Sequence, residues 1–283
     1  SGIPVIVDID EKSLGRVGQW PWRRDKMAAL VRELFERQQV SVIGFDVLFA
    51  EADESSGLST LQELAQGPLR SQPAFQEQLK RLAPSLDFDA LFAQSLRGQP
   101  VVLGYYLSGE DRDGITKGML PDPALPLERL RGLPLGATTW RGYSSNIEAL
   151  TRAAPAAGFF NSITDEDGVV RSLPLLAEYQ GQYYESLALA MFRTAIGLPE
   201  IHPGFVNPTP VGTHDLLQSI VLRQDGRTLA LPVDQQLATL ISYRGPGDAK
   251  GGSFRYISAS DVLDGVLPPG QLKALLVLVG STA

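Results

Sequence analysis

Val5-Ile6-Val7-Asp8-Ile9-Asp10 is followed by Met27, Leu30, Val31, Leu34 and Phe35 at helical spacing, then by Val40-Ser41-Val42-Ile43-Gly44-Phe45-Asp46-Val47-Leu48-Phe49. These three stretches decide the fold. The first and third are apolar almost throughout, as strands covered on both faces are. The middle one repeats its apolar residues at i, i+3, i+4, i+7 and i+8, which predicts a helix over 24–38 with a single buried stripe. Strand, helix and strand within 49 residues make a βαβ unit, and such units build parallel sheets.

Working outward, residues 50–85 turn rich in Glu, Gln, Ser and Gly, with short amphipathic pieces near 59–66 and 75–82. They read as an insertion at the sheet rim. Phe88, Leu91, Phe92 and Leu96 predict a further helix ended by Gly98, and Val101–Leu107 a third strand. Residues 108–155 lack periodicity and read as a long excursion over the sheet. Ala157–Ile163 and Val169–Tyr179 read as strands joined by the turn Asp165-Glu166-Asp167-Gly168, with Arg171 placed to pair with Asp165 or Asp167. Tyr184–Ile196 is predicted helical, 198–214 a loop, and Ser219–Arg223 with Thr228–Val233 a β-hairpin. A strand over Leu237–Tyr243, a short helix over 260–264 and a closing strand at Leu275–Val279 complete the chain. The fold class is α/β: a mixed, mainly parallel sheet flanked by helices, with a β-hairpin and a helical insertion, in one domain over residues 1–283.

The 283 residues, 43% hydrophobic, suffice for a substantial core. A net charge of -7 without a basic stripe argues against a nucleic-acid partner. There is no cysteine, which removes disulfides, thiol nucleophiles and cysteine-held metals, and only two histidines, His202 and His214. No metal and no cofactor is expected. No apolar run reaches the ~20 residues of a membrane span. Ser1-Gly2 and Ala283 both read as cut ends, so a piece of a longer protein is expected.

The richest chemistry lies where the first strand ends. Asp8 and Asp10 alternate there, then Gly18-Gln19-Trp20-Pro21-Trp22-Arg23-Arg24 brings aromatic surface and positive charge to the rim where α/β sheets meet ligands. Asp46, an acid inside an apolar strand, needs a partner, and Arg23 or Arg24 is the expected one. Asp8, Asp10, Trp20, Trp22, Arg23 and Asp46 are therefore the candidate ligand-binding residues. Asp8-Ile9-Asp10 also resembles the nucleophile loop of haloacid-dehalogenase-like phosphohydrolases, where the first Asp attacks phosphorus and the second moves the proton. Lys12 stands where that family carries Thr or Ser. Gly280-Ser281-Thr282 resembles a phosphate cradle only weakly, and no Ser-His arrangement is present. No catalytic residue is assigned, and the domain is read as a non-enzyme, with the phosphohydrolase as the alternative.

Several blocks together resemble the type-two CHASE domain, the sensory extracellular domain associated with cyclases and histidine kinases. They are Asp8-Ile9-Asp10-Glu11-Lys12-Ser13-Leu14, Gly18-Gln19-Trp20-Pro21-Trp22-Arg23, Gly44-Phe45-Asp46-Val47-Leu48-Phe49, Ala157-Gly158-Phe159-Phe160-Asn161, Asp165-Glu166-Asp167-Gly168-Val169-Val170-Arg171, Ser260-Asp261-Val262-Leu263 and Val277-Leu278-Val279-Gly280-Ser281-Thr282. The resemblance covers the chain nearly end to end. It implies an input domain on the periplasmic or extracellular face of the bacterial cytoplasmic membrane, held there by flanking membrane helices. A cytoplasmic cyclase, diguanylate cyclase, phosphodiesterase or kinase is the implied effector. Its implied partners are an unidentified small molecule or periplasmic protein and, in the full-length receptor, a second copy. A sensor of this kind needs its first and last strands close together and pointing the same way.

Overall fold

The structure, a computed structural model, describes residues 3–109, 115–125, 130, 135–164, 167–205, 217–245 and 252–282. Strand β1 (Val5–Ile9) ends at Asp10, whose carboxylate accepts the backbone N–H of Ser13 at 2.8 Å and so caps helix α1 (Glu11–Val17). Helix α2 (Arg24–Arg32) has no cap of its own. Asp53, far along the chain, accepts the Arg24 backbone N–H at 2.7 Å and takes that place. A π-helical turn over Glu33–Arg37 extends α2 to β2 (Val42–Phe45).

The expected insertion is helical: α3 (Leu58–Gln66) and α4 (Pro73–Leu86) bury only Ala65 between them, so they lie outside the core. Helix α5 (Phe88–Leu96) and β3 (Val101–Ser108) return to it. The excursion then contributes β4 (Thr116–Lys117), β5 (Thr139–Trp140), β6 (Gly142–Ser144) and α6 (Glu148–Ala153).

After β7 (Ala156–Phe159) come β8 (Ser172–Pro174), β9 (Leu176–Tyr179) and β10 (Gln182–Glu185). Helix α7 (Leu187–Ala195) is followed by β11 (Glu200–Phe205), β12 (Leu217–Gln224), β13 (Arg227–Pro232), β14 (Ala238–Leu240) and β15 (Arg255–Ser258). Helix α8 (Ala259–Leu263) and β16 (Leu276–Ser281) end the chain.

The main sheet has eight strands in the order β15-β1-β16-β2-β3-β6-β4, with β7 also paired to β3. Strands β15, β1, β16, β2, β3 and β7 are all parallel. Successive side chains alternate between its faces. Val7, Ile9, Phe45, Leu103 and Val279 meet Met27, Leu30 and Leu34 of α2, Phe92 and Leu96 of α5 and Val262 of α8. On the opposite face Val42 and Val102 meet Leu187, Ala190 and Met191 of α7. Helix α7 comes so close to β7 that a Cβ on Gly158 would stand 2.5 Å from the Leu187 nitrogen. Leu189 of α7 joins a second apolar cluster with Tyr183, Ile201, Ile220 and Leu222. No helix among the described residues is long and apolar enough to cross a membrane.

Several expectations change. The last strand does not close the sheet but fills its centre, between β1 and β2. Tyr184 belongs to β10, which makes a hairpin with β9 through Gln180 and Gly181, and the helix starts only after Ser186. Residues 200–205, read as loop, are β11, paired along β12. The turn before Val169 does not join two long neighbouring strands, because β7 pairs with β3 and only an isolated Ile163–Ser172 bridge spans it. Asp165 lies outside the described residues. Gly168 holds φ +81°, and Asp167 accepts from Arg171 at 2.6 and 2.8 Å.

Candidate functional site

The sequence candidates divide into two groups of contacts. The first gathers where β1, β16 and β15 end. Asp8, only 4% exposed, accepts the Thr282 backbone N–H at 3.1 Å on one oxygen and the Thr282 hydroxyl at 2.6 Å on the other. Ser281 donates its hydroxyl to the Ile9 carbonyl at 3.0 Å. Asp10 accepts the Ser258 hydroxyl at 2.8 Å in addition to the Ser13 N–H. The Ser13 and Ser258 hydroxyls stand 2.9 Å apart, those of Ser258 and Ser260 3.0 Å, and the buried Ser260 N–H donates to Ser13. Burial works against the Asp10 carboxylate, but the hydrogen bonds from Ser13 and Ser258 outweigh it and hold its pKa below the ordinary 3.8. Lys12–Asp261 at 2.6 Å and Arg16–Asp264 at 3.2 Å tie α1 to α8 at the surface.

The second group gathers around the tryptophans. Trp20-Pro21 is a cis peptide. Trp22 is buried, donates its indole N–H to the Gly18 carbonyl at 2.7 Å and meets Trp20 edge-on at 6.0 Å. Arg23 is exposed, grips Asp25 at 2.8 Å and lies 4.4 Å from the Phe88 ring centre. Arg24 is the buried arginine. It stacks 4.6 Å from the Phe49 ring centre, donates to the carbonyls of Trp22 and Glu51, and faces Asp89 at 3.6 Å. Asp89 in turn accepts the Asp53 backbone N–H at 2.9 Å. Burial lowers the Arg24 pKa and raises that of Asp89, with their mutual attraction opposing both shifts.

The expected pairing of Asp46 with an arginine is overturned: Arg23 turns to Asp25 and Arg24 to Asp53 and Asp89. Asp46 lies across Gly280 from Asp8. Gly280 is the register partner of Asp8, and the Asp46 backbone N–H donates to Val279 at 2.8 Å. By surface area Asp46 is exposed, so no buried charge needs a counter-ion there. The atoms crowding its carboxyl still desolvate it enough to push its pKa up. The structure thus brings Asp8, Asp10 and Asp46 to the strand ends and keeps Trp20, Trp22 and Arg23 with α2, α5 and the start of the insertion.

The hydroxyl partners Ser13, Ser258, Ser260 and Thr282 lie outside the six candidates, since single serines and threonines carry little local signal. Gly280-Ser281-Thr282, which resembles a phosphate cradle, donates instead to Ile9 and to Asp8. With both Asp8 oxygens taken by Thr282, neither is poised as a nucleophile, and the phosphohydrolase alternative finds no support. None of four cavities of about 530, 580, 440 and 270 Å³ is lined by the six candidate residues.

Among known proteins, the CHASE2 domain family profile matches residues 2–283. No curated protein and no solved structure matches the chain.

Proposed function

This chain belongs to the CHASE2 domain family, and from that premise we propose that it is the extracytoplasmic input domain of a bacterial membrane-bound receptor. The family is one of sensory extracellular domains of signalling receptors. In this reading the domain perceives a stimulus outside the cytoplasmic membrane and biases a cytoplasmic nucleotide cyclase, diguanylate cyclase, phosphodiesterase or kinase, with two copies side by side in the receptor.

One observation carries the transmission step. The first and last strands, β1 and β16, are parallel neighbours from Val5↔Val277 to Ile9↔Ser281, and Asp8 and Thr282 lock them at their ends. The chain enters β1 at one rim of the sheet and leaves β16 at the other, about 17 Å away for five residues of strand. Any slip of one strand against the other therefore displaces both connections at once. A ligand shifts such a two-state element only by binding one arrangement more tightly.

Thr282→Val keeps the side-chain shape and removes the hydroxyl that Asp8 accepts. It is expected to cost about 1.5–3 kcal/mol in the isolated domain, the range for a hydrogen bond to a charged group. In the full-length receptor it is expected to shift effector output by about fivefold or more. Effector assays on membranes, with circular dichroism of the purified domain, check this. An unchanged output from a folded variant would remove the β1–β16 junction from the signalling route.

A further inference from the structure

We propose that the cleft floored by Glu185, between the loop after β4, the α6–β7 junction and α7, binds a small organic cation: a primary ammonium on a short aliphatic chain. This site is separate from the strand ends described above and goes beyond the receptor reading. The cleft has a volume of about 530 Å³, within the usual range for small-molecule sites.

The argument starts from a carboxylate that is only half satisfied. Glu185 ends β10 with its side chain 8% exposed. One oxygen accepts from Arg193 Nη1 at 2.5 Å, while the other is buried and accepts nothing. The fully buried Tyr105 hydroxyl, which feels the Glu185 charge, also has no partner. Polar atoms buried without partners are costly, and proteins leave few of them. Arg193 cannot serve the second oxygen from where it is held, because its Nε and Nη2 donate to the Pro199 carbonyl at 2.9 and 2.8 Å. Burial drives the Glu185 carboxyl up, and the Arg193 charge offsets only part of that. A second positive charge in the cleft, beside this carboxylate, would complete its neutralisation.

The rest of the lining selects for such a group. Asp122 and Glu200 add two more carboxylates to the lining, Glu200 lying 3.3 Å from His202. The other guanidinium there, Arg152, already donates to Glu148 at 2.7 Å. Pro121, Pro123 and Pro155 supply stiff apolar walls suited to methylenes. A chain with an ammonium at each end can reach both the Glu185 floor and the further carboxylates. An anionic ligand would meet three carboxylates.

The test is thermal-shift and calorimetric titration of the 283-residue chain with 1,4-diaminobutane, n-butylamine, 1-butanol and glutarate at matched ionic strength. Both amines should raise the melting temperature saturably, the diamine more, with 1-butanol and glutarate inert. Glu185→Gln, checked for folding by circular dichroism, should weaken amine binding about tenfold or more. Asp122→Arg, an exposed position outside the core, should weaken the diamine by a similar factor and keeps the test decisive if Glu185→Gln does not fold. Saturation by neither amine below about 10 mM, equal binding of glutarate, or undiminished diamine binding by Asp122→Arg would each overturn the proposal. So would undiminished amine binding by folded Glu185→Gln. Binding is read on the domain alone, so failure here leaves the receptor reading intact, and a non-signalling receptor leaves this binding result intact.

Discussion

Replacing Arg24 by methionine is expected to destabilise the domain by about 3–5 kcal/mol, the cost of breaking a buried ion pair from one side. Methionine matches much of the apolar stem that packs on Phe49, so the loss comes from the charge and its donors. Without the guanidinium, Asp89 keeps only the Asp53 backbone N–H for its partly buried carboxyl, which burial already raises in pKa. The Trp22 and Glu51 carbonyls lose their donor as well. Arg23→Met is the matched control. Its ion pair with Asp25 is half exposed, so it should cost no more than about 1 kcal/mol. Denaturant midpoints measure both. Hydrogen exchange should place the first loosening in residues 51–89, where Asp53 and Asp89 are held through Arg24. Equal effects from the two substitutions would contradict the assignment of Arg24 as the pin between α2 and the insertion.

Trp22→Ala should be as damaging, at about 3–5 kcal/mol for a buried tryptophan. Trp22 is 3% exposed and part of the main core, and its indole N–H satisfies the Gly18 carbonyl. Trp20 is only partly buried, so Trp20→Ala should cost clearly less. Melting curves of the two variants separate a core tryptophan from a ligand-contacting one. A Trp22→Ala domain of near-normal stability that no longer responds to stimulus would assign this residue to ligand contact instead.

The sequence showed the local pieces more clearly than their arrangement. The apolar runs at Val5–Ile9, Val40–Phe49 and Val101–Leu107, the stripes of α2 and α5, and the hairpin around Asp225-Gly226 each carry their own periodicity or turn chemistry, and each is present, the second as a strand only over Val42–Phe45. The central place of β16 was not legible, because parallel neighbours are chosen by tertiary packing and leave no local mark. Tyr183-Tyr184-Glu185-Ser186 adjoins a helical pattern, and only the pairing with β9 makes it a strand. Asp8, Asp10 and Arg23 stand out as candidate charges at the rim, and Arg23 or Arg24 is the partner expected for Asp46. Their partners could not be read, because Asp53 and Asp89 are 29 and 65 residues beyond Arg24 and Thr282 is 274 beyond Asp8. Glu185 carries no local signal either: it shares its cleft with residues 119–124, from another part of the chain.

The side of the membrane on which this domain resides is the most direct test of its role as a sensor. The chain has no cysteine, so Leu240→Cys, at a side chain 81% exposed, gives it a single addressable thiol. Full-length receptor carrying this change is expressed in cells whose outer membrane is opened and whose cytoplasmic membrane is intact, then treated with a membrane-impermeant maleimide. The extracytoplasmic reading predicts labelling at residue 240 before lysis, with none in the parent receptor at that position. Labelling that occurs only after the cytoplasmic membrane is broken would contradict it.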